Sequence, residues 1–215
     1  MTISPEVGLS EISVDDISDS SLMNEGGIAP KFIIVGYGFW IFLLSDIVMF
    51  SAFFAAHAVL QSSTDGGPEA RQLLSVGNVA IETGCLLLSS FTCGLIAIGA
   101  TSRRMLWTQA ALAVTAILGL VFIGLEVNEF NELIKAGAGP QRSAFLSSFF
   151  ALVGCHGLHV TIGVIWLATM MAQVFVKGFR QDMLRRLTCL NLFWHMLDIV
   201  WIAIFTLVYL VGVST

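Results

Sequence analysis

Charged residues are scarce in this sequence. Asp, Glu, Lys and Arg make up 12% of its 215 residues, whereas hydrophobic residues make up 56% and the mean hydropathy is +0.87. Soluble globular domains carry about 25% charged residues. The composition therefore excludes an ordinary soluble domain and predicts a polytopic membrane protein. No phosphate-binding loop and no nucleic-acid-binding motif is present, so the sequence gives no reason to expect a nucleic-acid partner.

Cysteine is also sparse, and the N-terminal segment has no basic residue. The four cysteines lie in or beside apolar stretches without a CxxC pair, which predicts reduced packing residues and neither a disulfide set nor a zinc site: Cys85, Cys93, Cys155 and Cys189. The first thirty residues contain six acidic residues and no Lys or Arg. Because they lack a basic n-region and an apolar h-region, they do not resemble a cleavable signal peptide. Residues 1–32 are predicted to form an acidic, disordered cytoplasmic tail.

Five apolar stretches follow, each longer than the roughly 20 residues that a helix needs to cross a bilayer. They are predicted at about 33–60, 74–100, 106–133, 144–176 and 187–213. Gly, Pro and clustered charges separate them, and no alternating barrel pattern is present. The predicted fold is all-α, a bundle of five transmembrane helices over residues 33–213.

The basic residues predict the direction of the chain. With a cytoplasmic N-terminus, one side of the membrane receives Lys31, Arg103, Arg104, Lys177, Arg180, Arg185 and Arg186, and the other side receives Arg71, Lys135 and Arg142. Because cytoplasmic loops are enriched in Lys and Arg, this bias predicts an inside N-terminus and an outside C-terminus. Trp107 and Tyr209 are expected in the aromatic belts at the two interfaces.

Ionisable side chains within the apolar stretches are the main functional signal, because a buried charge in lipid is costly and marks a functional or assembly site. With a rise of about 1.5 Å per residue, these groups lie about 12 to 20 Å from the inner face of a roughly 30 Å apolar core. The set comprises Asp46, Glu82, His156, His195 and Asp198, with His159 nearer the inner edge and Trp40 and Trp194 as additional donors. We expect the acids to face imidazole or indole N–H groups across helix contacts, forming an internal polar network without an aqueous pore.

Small and hydroxylated residues predict close helix contacts in two of the spans. They are Ser89, Ser90, Thr92 and Gly94 in the second span, and Gly154, Gly157 and Gly163 in the fourth. Glu126, Glu129 and Glu132 form a stripe on the third span. Their depth predicts a solvated face or a partner contact at the membrane surface. His57 is expected to be an interfacial side chain.

The residues alone leave several chemistries open. His156 and His159 could ligate a metal or haem, although a spacing of three on one helix is poor for bis-axial haem ligation. The alternative is a pair of buried histidines that bond to neighbouring groups. Glu82, Asp46 and Asp198 could form a proton relay, or they could be assembly groups that hold the helices in register.

Several segments together resemble subunit III of the haem-copper terminal oxidases. They are GPQRS at 139–143, FFALVGCHGLHV at 149–160, FWHMLDIVWIAIFTLVYLVG at 193–212, GFWIFLLSDIVMF at 38–50 and ETGCLLLSSFT at 82–92. The resemblance covers about residues 36–213 and involves all five spans. The five-helix form is most similar to the subunit of cytochrome bo-type ubiquinol oxidases. A five-helix cytochrome c oxidase subunit is the alternative within the family.

The resemblance implies a non-catalytic subunit in a bacterial plasma (inner) membrane. The haems and copper would belong to subunit I, and this chain would hold no cofactor. It would support the assembly, stability and proton uptake of subunit I, with other oxidase subunits and membrane phospholipids as further partners. Alternatives of other classes are a haem-binding anchor that uses His156 and His195, or an independent proton or solute carrier.

The family motif carries over to eight positions: Trp40, Asp46, Glu82, His156, His159, Trp194, His195 and Asp198. Two positions depart from the family pattern. Asp46 stands where many relatives have Glu, and Gln173 stands where seven-helix relatives have a lipid-binding Arg. Lipid headgroup contacts are therefore expected from Lys177 or Arg180.

Overall fold

The computed structural model describes residues 31–63 and 76–211. Nearly all of these residues are helical. The helices are α1 (Lys31–Leu60), α2 (Val76–Thr101), α3 (Met105–Lys135), α4 (Ala144–Lys177) and α5 (Gln181–Ile204), and a π-helical segment, Phe205–Leu210, continues α5. Each of the five helices is long and apolar enough to cross a membrane, which confirms the predicted all-α fold with five spans. The predicted tail and the loop that contains Arg71 fall largely outside the described residues.

The helix ends follow from local chemistry. Ser143 begins α4 as its N-cap, with its Oγ accepting a hydrogen bond from the Leu146 N–H at 3.2 Å. Gly178 ends α4 with a φ of 64°, a left-handed conformation that glycine adopts without strain. α5 begins at Gln181, six residues before the predicted span start at Leu187. The apolar pattern does not reveal these first turns, because they carry Asp182, Arg185 and Arg186.

The helices pack around α5. α5 contacts α1, α2 and α4, and α3 contacts α2 and α4. In an apolar stretch of 18 residues within α5 and its π-helical continuation, half of the residues are buried, compared with 17% in the corresponding stretch of α1. α1 therefore lies at the periphery of the bundle. Trp201, Tyr209, Phe122 and Phe149 are among the largest fully buried side chains. Tyr209 therefore lies inside the bundle, and its predicted place in an interfacial aromatic belt is wrong.

Candidate functional site: polar contacts inside the bundle

Two tryptophans of α5 hydrogen-bond to hydroxyls of α2. The Trp194 indole N–H donates to Ser89 Oγ at 3.0 Å, and the Trp201 indole N–H donates to Thr83 Oγ1 at 3.1 Å. Trp194 is 2% exposed and Trp201 is fully buried. Because an unpaired indole N–H in the membrane interior is costly, these two bonds fix the register of α5 against α2. Ser89 lies within the stretch predicted to make close helix contacts, whereas Thr83 was not predicted.

The ring of Trp194 lies against two glycines of other helices. A Cβ at Gly119 of α3 would lie 2.9 Å from its Cη2, and a Cβ at Gly163 of α4 would lie 2.9 Å from its Cζ3. Real Cβ contacts are essentially never this short. Trp194 thus touches α2, α3 and α4 at one level, which requires glycine at both facing positions. Gly94, also expected at a close contact, instead has no neighbour within 4 Å of its ideal Cβ.

His195 and Asp198 form a polar group with Ser90 on the outer side of the α2–α5 contact. His195 Nδ1 lies 2.7 Å from Ser90 Oγ. Asp198 Oδ1 is buried without a hydrogen-bond partner. The three residues line a cavity of about 440 Å³ together with the apolar side chains of Leu87, Phe91, Leu95 and Ile98 and with Gly94. The partner of this imidazole is a serine hydroxyl, whereas the sequence led us to expect an acid.

His156 lies in an enclosure of aromatic rings and is fully buried. Its ring stacks on Trp201 with a centroid separation of 5.2 Å, and the rings of Phe50 and Phe122 lie edge-on to it with centroid separations of 6.3 and 5.9 Å. Neither ring nitrogen has a hydrogen-bond partner among the described residues. The imidazole therefore acts as a planar packing group that joins α1, α3 and α5 to α4.

His159 and Asp46 lie on the facing sides of α4 and α1. His159 Nδ1 is 2.8 Å from the backbone carbonyl oxygen of Cys155 in its own helix. Its ring lies 5.3 Å from that of Phe50. Asp46 is 8% exposed, and its Oδ2 has no hydrogen-bond partner within the described chain. No hydrogen bond joins this acid to His159 in the described chain.

Glu82 lies apart from these groups, in a cluster of acids between α2 and α3. Its carboxyl interacts electrostatically with those of Glu126 and Glu129. Glu82 and Glu126 are 1% and 3% exposed. Glu129 Oε2 accepts a hydrogen bond from the Tyr209 hydroxyl at 3.4 Å.

The position of Glu126 corrects the predicted surface stripe. Its carboxyl packs against Gly157 of α4, where a Cβ would lie 2.7 Å from Oε1, and neither carboxyl oxygen has a described hydrogen-bond partner. Only Glu132 of the three stripe residues is exposed. The interfacial prediction for His57 is also wrong: this residue is 5% exposed, with its Nδ1 2.9 Å from Ser148 Oγ on α4. The side chains of Glu126 and His57 both point into the bundle. The rotation of a helix about its axis decides this, and the depth of a residue along the helix does not reveal it.

The remaining predicted residues lie at the surface of the described chain. Trp40 is 51% exposed on the outward side of α1. Lys177 and Arg180 are exposed around the turn that joins α4 to α5. Gln173 Oε1 accepts a hydrogen bond from Arg186 Nη1 at 2.9 Å.

Residues 31–63 and 76–211 contain no group of three or more His, Cys, Asp or Glu side chains that could hold a metal ion. The ring of His156 on α4 stacks on Trp201. His195 lies at a different helix contact, between α5 and α2, where its Nδ1 is 2.7 Å from Ser90 Oγ. All four cysteines are free, as predicted, and buried Cys93 donates to Asn191 Oδ1 at 3.2 Å.

Comparisons with known proteins give one consistent family. The family model described as cytochrome c oxidase subunit III matches residues 16–213. The cytochrome bo(3) ubiquinol oxidase subunit 3 of Pseudomonas aeruginosa is 49% identical over 176 residues, which cover 82% of this chain and 84% of that protein. The Pseudomonas putida protein of the same name is also 49% identical, over 82% of this chain and 85% of its own length. The quinol oxidase subunit 3 of Bacillus subtilis is 43% identical over 181 residues, covering 82% and 87%.

Proposed function

Because the chain belongs to the cytochrome c oxidase subunit III family and is subunit III of a haem-copper quinol oxidase, we propose that it acts there as a non-catalytic membrane subunit. In this proposal it packs against subunit I, which holds the haems and copper, and it supports the assembly and lifetime of that subunit and its uptake of protons. The match over residues 16–213 is the observation that carries the proposal.

The polar contacts support a bracing role. The hydrogen bonds of Trp194, Trp201, His195 and His57 each join two helices of this chain. The partly buried His195 and Asp198 would hold α5 against α2, so that the surface offered to other subunits keeps one shape.

We propose the cell inner membrane as the location, with the N-terminus in the cytoplasm. The bacterial relatives and the five apolar helices support a multi-pass bacterial membrane protein. The excess of Lys and Arg on the side that carries Arg103, Arg104 and the α4–α5 turn supports the orientation.

The test replaces His195 by alanine in the intact oxidase. We expect less of this chain to remain with the haem-bearing subunit after extraction in mild detergent, together with a shorter active lifetime during oxygen consumption. The haem absorption spectrum should not change. Thr188→Ala is the matched control, because Thr188 is an exposed residue of the same helix and its hydroxyl donates only to the Leu184 carbonyl of that helix.

Two results would contradict the proposal. A changed haem spectrum in the His195→Ala oxidase, with subunit I present in full amount, would place this residue near a cofactor. If the His195→Ala oxidase retained all of this chain and had the same active lifetime as Thr188→Ala, His195 would not contribute to the stability of the complex.

A further inference from the structure

A second cavity lies at the turn between α2 and α3, next to the one beside Ser90. It has a volume of about 480 Å³ and is lined by Leu95, Ile98, Gly99, Ser102, Arg104 and Trp107. Its mouth combines a guanidinium, a hydroxyl and an indole that is 64% exposed. Its floor is apolar. This combination of groups suits an amphiphilic ligand with an anionic end.

The turn holds a second arginine in a conformation that arginine rarely adopts. Arg103 has a φ of 51°, and it is the only non-glycine residue with positive φ in the described chain. The turn is closed by hydrogen bonds from Arg103 N–H to the Ala100 oxygen at 3.2 Å and from Arg104 N–H to the Gly99 oxygen at 3.1 Å. Glycine is the usual residue at this position of a helix end, because a Cβ is disfavoured there. An arginine at a strained position suggests that its side chain is needed there.

Among the residues that the structure describes, the two arginines have no acidic partner. Neither guanidinium forms an ion pair with any residue in the parts of the chain that the structure describes. The sequence has no acidic residue between Glu82 and Glu126. Two adjacent unpaired guanidinium groups at a membrane surface attract anions, and arginine binds phosphate oxygens in a bidentate manner.

An apolar groove leads from this cavity along α2. The cavity of about 440 Å³ beside Ser90 shares the lining residues Leu95 and Ile98 with the one at the turn, so the two adjoin on the surface of α2. Ile98, Phe91 and Leu87 are 62%, 66% and 47% exposed along the groove. The α2 segment from Ile98 to Leu87 is about 16 Å long. That length is about half of the roughly 30 Å apolar core, or one leaflet.

We propose that the α2–α3 turn and this groove bind one anionic phospholipid. Arg103 and Arg104 hold the phosphate, and the Ser102 hydroxyl donates a hydrogen bond to it. The Trp107 indole lies beside the ester groups, where tryptophan is enriched in membranes. One acyl chain lies along Ile98, Leu95 and Phe91, past Gly94, beside which a Cβ would have free space. This site is separate from Lys177 and Arg180, for which the sequence suggested headgroup contacts.

The experiment measures phospholipid that stays with the intact oxidase. The complex is purified in mild detergent, exchanged into phosphatidylcholine nanodiscs that contain a minority of phosphatidylglycerol, re-isolated, and analysed by mass spectrometry. We expect the Arg103→Gln/Arg104→Gln complex to retain at least threefold less phosphatidylglycerol than the wild type. Lys135→Gln/Arg142→Gln is the matched control, because it removes two exposed positive charges around the loop between α3 and α4 and should retain the wild-type amount.

A second variant separates a phospholipid from a free phosphate ion. Ile98→Trp fills the groove and leaves both arginines in place, so it should lower phosphatidylglycerol retention by a similar factor. If only the arginine variant loses the lipid, the site binds an anionic group without a chain, and the proposal of a phospholipid is wrong. Retention of phosphatidylglycerol that 10-fold excess inorganic phosphate abolishes would lead to the same conclusion.

A third variant guards against failure to fold. Arg103→Gly removes the charge and suits the positive φ, so the complex should assemble and unfold at a temperature no lower than that of the wild type in lipid-free detergent. We expect it to lose phosphatidylglycerol by at least twofold. Unchanged retention in this variant and in the double variant would overturn the proposal.

Discussion

Trp194 joins three helices through one side chain. Its N–H donates to Ser89 of α2, and its ring fills the space beside Gly119 of α3 and Gly163 of α4. Both glycines are in regular helix, so their backbone conformation does not require glycine. What requires it is the absence of a side chain, because the indole occupies the position that a methyl group would take. In a membrane, where lipid is as apolar as the helices, such close packing is the main source of helix association.

Gly163→Ala should therefore destabilise the bundle. The new methyl group would lie 2.9 Å from the indole and 3.3 Å from the Phe193 ring, and overpacking of this kind costs about 1–3 kcal/mol. The measurement is the unfolding of the purified chain by denaturant in mild detergent, followed by tryptophan fluorescence. Gly124→Ala is the control, because no atom lies within 4 Å of its ideal Cβ. Equal unfolding midpoints for the two variants would show that the indole does not occupy this space.

Glu126 gives a second prediction for a single residue. Both of its carboxyl oxygens are buried without a hydrogen-bond partner among the described residues, so a carboxylate there is penalised. Glu126→Gln keeps the shape and removes the charge, and we expect a free energy of unfolding at neutral pH equal to the wild type or up to about 2 kcal/mol higher. The exposed Glu132→Gln should change it by less than about 0.5 kcal/mol. A Glu126→Gln chain that is clearly less stable would show that the carboxylate has a stabilising partner.

The sequence predicts which polar residues lie within the apolar spans, but it does not give their partners. Counting residues along α5 places His195 and Asp198 on one face at adjacent turns. It does not give the rotation of α2 about its axis, which brings Ser90 against the imidazole. For the same reason the contact of Glu126 with Gly157 was missed. A seven-residue spacing common to Trp194 and Trp201 was the available signal that these indoles face one neighbour.

At the scale of helices, the ends of the spans were the most predictable feature. Gly, Pro and charge clusters cannot continue a helix in lipid, and α1–α4 end in or beside the segments that carry them. α5 was harder because its first turns are polar and hydropathy cannot distinguish such turns from a loop. The π-helical segment from Phe205 to Leu210 had no sequence signal.

Ser143→Ala tests the N-terminal end of α4. Ser143 is 8% exposed and its hydroxyl satisfies the Leu146 N–H, so its loss should cost about 1 kcal/mol of stability. Hydrogen exchange of the first turn of α4, measured by mass spectrometry on the purified full chain, should become several-fold faster. Thr169→Ala is the control, since this exposed hydroxyl bonds only to the Trp166 carbonyl of the same helix. If both variants exchange alike, the cap contributes nothing to α4.

At the scale of the molecule, α1 is the least supported element. Its contacts are with α4 and α5, and only 17% of the residues in its apolar stretch are buried. Near its C-terminal end, His57 Nδ1 lies 2.9 Å from Ser148 Oγ, and the centroids of the His57 and Phe145 rings are 5.7 Å apart. α2, α3, α4 and α5 instead form a closed set of contacts. The chain should therefore open first at α1.

His57→Ala should make this opening easier. The variant loses a buried hydrogen bond and ring packing, so we expect α1 to exchange its amide hydrogens several-fold faster in detergent while α2–α5 keep their protection. Ser51→Ala is the control on the same helix, because its exposed hydroxyl bonds only to the Ile47 carbonyl. Uniformly faster exchange over all five helices would mean that the bundle opens as one unit.

The central position of α5 has a consequence for synthesis. A ribosome that delivers this chain to the translocon releases α1 first, and α1 needs few protein contacts to remain in lipid. The indoles that pair with the hydroxyls of α2 arrive only with the last helix. Until then Ser89 and Thr83 have no tryptophan partner, and the cleft beside Gly163 has no ring to fill it. The hydrogen bonds between α5 and α2 therefore form only after the four earlier helices have entered the membrane, so the fold is completed last at α5.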